Sequence, residues 1–364
     1  MGIASVIVSE IVLYLCFSIL MGSFILSIIP RNYRPSLFVR KSYLILAATG
    51  VGLFSFTPVL LLIWSLQQRL GWQAGIQMVL LTFDIGKAWI FTSIVVFLLL
   101  VFIAKFYQLE NLGYSWIGCL LTFLLIIGVA WSSHANSLEQ GKGFIIHFAH
   151  FMAVTVWVGI MYIVSWFSKN HDNWLRFLRW FTPVAIGCLL VTIVSGIILM
   201  TFVMDIGQYP NAWMVDYGQF LLIKHILIIS LLVYAFINGV LIRRRLSKNQ
   251  SFNPVPWVRA ESIFALLVFS ATAAMSQQSP PSASTLQDEG LSVLFELFYQ
   301  GQYYPGMEAQ LSINSMSILL IMIAFLFLIL IFYAFSKKTS AIIIFLLCVL
   351  FSFSSYLAII LSIS

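Results

Sequence analysis

Charge is scarce in this chain. Lys, Arg, Asp and Glu make up 9% of its 364 residues, against roughly a quarter in soluble globular domains, which excludes a water-soluble fold. Cysteine is scarce too. Cys16, Cys119, Cys188 and Cys348 each sit inside an apolar stretch and never pair as CxxC. They form neither a disulfide framework nor a zinc site, and packing is their expected role. Catalytic signatures are missing: there is no serine elbow, no HExxH, no carboxylate dyad at workable spacing and no P-loop. The chain therefore reads as a non-enzyme, and any transport must be driven by a gradient, a potential or a partner. No basic run resembles a nucleic-acid patch. The opening stretch, MGIASVIVSEIVLYLCFSILMGSFILSII, has no basic region ahead of an apolar run too long for a signal peptide. It is expected to be retained as a first span.

What the chain has is hydrocarbon, with 61% hydrophobic residues. Its membrane lipid partner is implied by ten apolar runs, each near the roughly 20 residues that cross a bilayer, at about 3–29, 42–64, 85–105, 115–131, 143–167, 180–204, 218–242, 256–276, 312–336 and 339–362. The expected fold is all-α, a polytopic transmembrane helical bundle. The odd-numbered connections carry fifteen of the 19 Lys and Arg, from Arg31 through Lys338, whereas the even ones hold Arg69 and Lys142 among Glu139, Asp205, Asp216, Asp288, Glu289, Glu296 and Glu308. The positive-inside rule then puts the odd connections in the cytoplasm and both termini outside. The longest connection, 277–311, is expected to be an outer loop with a short interfacial helix in LSVLFELFYQGQYY, and 72–84 to lie on the surface likewise.

Polar residues inside the spans gather toward one side. At 1.5 Å per residue, His147 and His150 lie in the first two turns of span five, with Lys224 and His225 at similar depth in span seven and Glu10 in span one. Asp84 and Lys87 open span three, His134 closes span four, and Met200 and Met204 end span six on that side. Glu261 is the exception, near the inner end of span eight. Ionisable groups in hydrocarbon cost at least about 2.5 kcal/mol at the span centre, so they face a cavity or a partner. At 100° per residue, His147, His150, Trp157 and Met161 share an arc of about 80°, a stripe from outer imidazoles past an indole to a thioether. Met200 and Met204, four apart, would share one helix face.

Imidazole with thioether suits a soft or borderline metal, and Cu(I) fits best. Zinc sites usually add cysteine or carboxylate. Haem held by axial histidines from two spans, such as His150 and His225, is the alternative. Each residue also has a plainer role: the histidines and Glu10 as interhelical hydrogen-bond partners, the methionines as packing, Lys224 snorkelling to headgroups.

Five ordered motifs resemble the copper resistance D (CopD) family of bacterial inner-membrane proteins. They are Thr82, Gly86 and Trp89 in TFDIGKAW; His134 in WSSHANS, with Ser133 where the family usually has glycine; His150, Trp157 and Gly159 in HFMAVTVWVG; Tyr217, Gly218, Lys224 and Asn238; and Glu261 with Pro280 and Pro281. The resemblance covers residues 1–281 as an eight-span domain, leaving the 282–311 loop and two further spans in 312–364. It implies a multi-pass copper permease of the cytoplasmic membrane, usually importing, fed by an extracytoplasmic CopC-like carrier. His134 and His150 would form the outer copper entrance and Lys224 would tune its charge. His147 and His225 are not motif positions and rest on depth alone. Alternatives are a b-type haem electron-transfer protein and a non-transporting copper-delivery factor for assembly of a partner.

Overall fold

The computed structural model describes residues 2–108, 111–249, 251–281, 290–299, 301 and 307–363. It has ten helical spans long and apolar enough to cross a membrane. Among the described residues there is no strand, only isolated bridges at Leu37–Ser168 and Leu311–Ile363. The chain forms two compact units: residues 1–202 with 245–255, and residues 203–244 with 256–364. This boundary falls inside the segment covered by the family resemblance, so the eight matched spans contribute to both units.

Unit 1 is built around α1 (Ile3–Ile28), whose Phe17, Leu20, Phe24 and Leu26 are completely buried. Ile29 turns extended ahead of Pro30, as a residue before proline must, and the helix ends there. Then follow α2 (Lys41–Phe54), α3 (Thr57–Leu70), α4 (Trp72–Gln77), α5 (Asp84–Phe106), α6 (Leu112–Trp131), α7 (His134–Leu138), α8 (Lys142–Phe167) and α9 (Trp174–Val203). α1 packs on α2, α6 and most extensively on α8. A Cβ on Gly22 would fall on the Gly159 carbonyl, and one on Gly159 would press the Ser18 carbonyl. The two backbones therefore touch, the close packing that small residues permit between membrane helices. Tyr14 lies beside Phe151, eight residues before Gly22 just as Phe151 lies eight before Gly159, so α1 and α8 run parallel.

The expected bounds of the second span, 42–64, are corrected. The second span breaks after Phe54, and α3 runs on to Leu70 before turning at Gly71 into α4 and a π-helical turn at Met78–Thr82. Residues 72–82 form a helical hairpin with α3, closed by Val59, Ile63 and Val79, with most of their residues exposed as expected of a surface segment. α9 continues through Pro183, and its apolar side chains from Val184 to Ile197 are largely exposed, as befits a lipid-facing span.

Unit 2 contains α10 (Tyr209–Ala212), α11 (Asp216–Phe236), a π-helical turn at Ile237–Ile242, α12 (Arg243–Lys248), shared with unit 1, α13 (Val255–Met275), α14 (Val293–Phe298), α15 (Ser315–Ser336) and α16 (Ala341–Ile360). α11 and α16 are joined by buried polar bonds: Tyr356 Oη donates to Gln219 at 2.5 Å, and Ser230 and Ser352 hydroxyls meet at 2.8 Å. α14 falls in the connection where a short interfacial helix is expected, and it packs by one face. Its Phe295 is fully buried among Trp213, Met214, Leu222, Ile226, Tyr356 and Ile360, while Val293 and Leu297 are exposed. Residues 282–289, including Asp288 and Glu289, residue 300 and residues 302–306 of the same connection lie outside the described residues.

The glycine contact gives a stability prediction. Gly159→Ala should destabilise the protein by about 1–3 kcal/mol through overpacking. Gly187→Ala on α9, where an added Cβ meets nothing within 4 Å, should be neutral or slightly stabilising. Thermal melts in one detergent compare them, and equal melting temperatures for the two variants would refute the backbone contact.

Candidate metal site

Helix registers in unit 1 bring the polar candidates to one level. Counting back along the parallel α1–α8 pair from Gly22/Gly159 and Tyr14/Phe151 puts Glu10 level with His147. The Tyr14 hydroxyl donates to Glu10 at 3.4 Å, and the His147 ring lies parallel to Phe151 with centroids 6.3 Å apart. α7 packs against the first turn of α8, where Gly143 leaves room for the Ala135 carbonyl. His134, the first residue of α7, is therefore held at that end, with its side chain exposed. α5 and α6 are antiparallel, with Thr92 beside Gly128 and Phe102 stacked on Tyr114 at 4.6 Å. That register puts Asp84 and Lys87, both exposed, beside the Trp131 end of α6.

His150 has the best-defined environment. Its Nδ1 lies 3.0 Å from Ser195 Oγ on α9, and the same hydroxyl donates to the Val191 carbonyl at 2.5 Å. A serine has one proton to give. With that proton on Val191, Ser195 accepts from His150, so Nδ1 carries the hydrogen and Nε2 the lone pair. Ser195 donating to Nδ1 instead would give the opposite tautomer; the first arrangement is the pattern of a metal-ligating histidine, whose second nitrogen is held by an outer partner. Gly196 lies beside the imidazole edge, where a Cβ would meet Cε1 at 3.4 Å, an ordinary van der Waals contact. Ser195 escaped sequence reasoning. Its only trace is the small polar face Thr192-Ser195-Gly196 in an otherwise apolar run.

The rest of the expected stripe is packed. Trp157 is 5% exposed and Met161 1%, so both are buried. Cys188 lies against Trp157, which with His150–Ser195 makes α8 and α9 antiparallel and sets Met200, half-buried, level with the first turns of α8. α9 ends at Val203, so Met204 stands directly after its last residue and is buried, assigned to unit 2, whereas Met200 is half-buried in unit 1.

His225 and the half-buried Lys224 also belong to unit 2, so His150 and His225 fall in different units. His225 Nδ1 is 2.6 Å from the Tyr209 hydroxyl. Burial pushes the Tyr209 phenol up to about 12, so it stays protonated at neutral pH and fixes the imidazole by its hydroxyl. Tyr209, in the loop sequence GQYPNAW, was also missed. Among the described residues, no three His, Cys, Asp or Glu side chains converge closely enough to hold one ion. A copper site here would draw on two such groups with a thioether or another donor.

Residues 1–144 match the copper resistance protein D-like N-terminal domain, and residues 175–275 match copper resistance protein D. Together these cover about two thirds of the chain. The copper transport protein CutJ of Bacillus subtilis (strain 168) is 28% identical over 145 residues, which are 38% of this chain and 26% of that relative's length. No solved structure matches the chain. With ten membrane-spanning helices and both of these matches in order along it, the chain belongs to the copper resistance protein D family.

Proposed function

We propose that the protein is a copper permease of the bacterial cytoplasmic membrane, not an enzyme, and that copper enters it from the extracytoplasmic side at the histidine-bearing end of unit 1. The observation that carries this reading is the His150 Nδ1–Ser195 Oγ hydrogen bond at 3.0 Å; with Ser195 giving its proton to Val191, Nε2 would bear the lone pair. Glu10, His134, His147 and Met200 occupy the same level of the unit. Imidazole and thioether bind Cu(I) well without burying extra anions, which keeps the ion mobile. The relative named as a copper transport protein supports copper as substrate. The basic odd-numbered connections support both termini outside, which makes the start of α8 the outer end. The inside-negative potential then favours inward movement of a monovalent cation by about 2.3 kcal/mol per 100 mV. Delivery by an extracytoplasmic CopC-like carrier would suit an entrance at that end. His225, fixed by Tyr209, and Met204 would offer further donors in unit 2, with Lys224 setting the local charge.

Three results are expected. His150→Ala should abolish high-affinity copper binding by the purified protein in detergent. Ser195→Ala should weaken it by about 10-fold to 100-fold, as loss of an outer partner usually does. Titration with buffered Cu(I) reads both, and unchanged affinity in both variants would overturn the site. Vesicles reconstituted with the protein should accumulate copper that empty vesicles do not; intact binding without uptake would mark a copper-delivery factor in place of a permease.

A further inference from the structure

Unit 2 holds an intramembrane carboxyl whose partner, Asn238, lies thirteen residues beyond His225 along the chain. Glu261 lies six residues into α13, 5% exposed. That is about 9 Å from the helix start at 1.5 Å per residue, at the end where α11 leads into Arg243, Arg244 and Arg245. Its Oε2 accepts the Asn238 amide at 2.7 Å, and the same amide nitrogen donates to the Trp257 carbonyl at 3.4 Å. Among the described residues, no ion pair reaches this carboxyl.

Its surroundings are neutral. From α11, Tyr234 is fully buried one turn away and close enough to interact electrostatically with Glu261. From α16, Cys348 lies beyond Tyr234. α15 presents Phe335 to Trp257, while its Tyr333 and the following Lys337 are exposed. Arg259, on α13 itself, is exposed. Asn238 stands on the π-helical turn at Ile237–Ile242, a departure from α-helical geometry that recurs at functional sites.

A carboxyl in hydrocarbon is costly, and a glutamine would make the same interhelical hydrogen bond without that cost. What glutamate adds is the ability to gain and lose a proton. The Asn238 N–H suits both forms, since it can donate to a carboxylate oxygen or to the carbonyl oxygen of the acid.

We propose that Glu261 is a proton-exchange site, alternating between carboxylic acid and carboxylate as the protein binds copper. In the release step the acid O–H bond breaks, the proton passes to water at the arginine-bearing end of the unit, and the carboxylate keeps the Asn238 hydrogen bond. Reprotonation reverses these events. The link to copper rests on the permease reading; the proton exchange itself does not.

Infrared difference spectra of the protein in lipid vesicles test this. Native protein should show a buried carboxylic-acid C=O band that shifts in deuterated water, is lost on raising the pH, and diminishes when Cu(I) is added. Glu261→Gln should lack the band, and Glu261→Asp should move it. A band that neither pH nor Cu(I) changes, or spectra of native and Glu261→Gln protein that coincide at every pH, would overturn the proposal. A band that answers to pH but not to Cu(I) would sustain the exchange site and overturn its coupling to copper. Copper failing to cross vesicles would bear on the permease reading alone, because the spectra do not depend on uptake.

Discussion

The backbone contact between α1 and α8 sets the geometry of unit 1. With no side chain on Gly22 or Gly159, the two helices meet carbonyl to α-carbon, and that contact fixes their register along the membrane. Everything at the histidine level follows from it. Glu10 and His147 come to one height because the chain reaches each of them twelve residues before the paired glycines. A slip of one turn would separate them by about 5.4 Å. Because hydrocarbon offers no hydrophobic drive between helices, such close packing is the main force available to hold this register.

Against that fixed pair, α9 is attached differently. Most of its apolar side chains are exposed, and the polar tie to α8 is the His150–Ser195 bond. One hydrogen bond thus serves two purposes: it docks a lipid-facing helix, and it determines which imidazole nitrogen can ligate a metal. The polar groups of the two units are distributed with similar economy. Unit 1 collects imidazoles at one end, whereas unit 2 buries a carboxyl with an amide near its arginine-bearing end.

Much of this was legible in the sequence. The ten spans were readable because each is an apolar run bounded by charge or by proline, and depth in a helix is simply proportional to residue count. That proportionality placed Glu10, His134, His147 and His150 at a common level before any contact was known. The break after Phe54 was missed because residues 42–64 are apolar across it and hydropathy does not encode a bend; Pro58, in the first turn of α3, was its one local sign. The burial of Phe295 was hidden because a short helix with apolar residues on both faces looks interfacial until its partner helices are in place. Ser195 and Tyr209 were missed for a common reason: hydroxyls are frequent in spans and loops, and a bond across 45 or 16 residues leaves no local periodicity.

The account stands on an imidazole of unit 1 serving as a copper ligand. X-ray absorption of Cu(I)-loaded native protein examines that directly. It should show the multiple-scattering pattern of imidazole nitrogen in the first coordination shell, accompanied by a longer sulfur contribution from a thioether. A shell of oxygen or sulfur alone, without imidazole scattering, would contradict it.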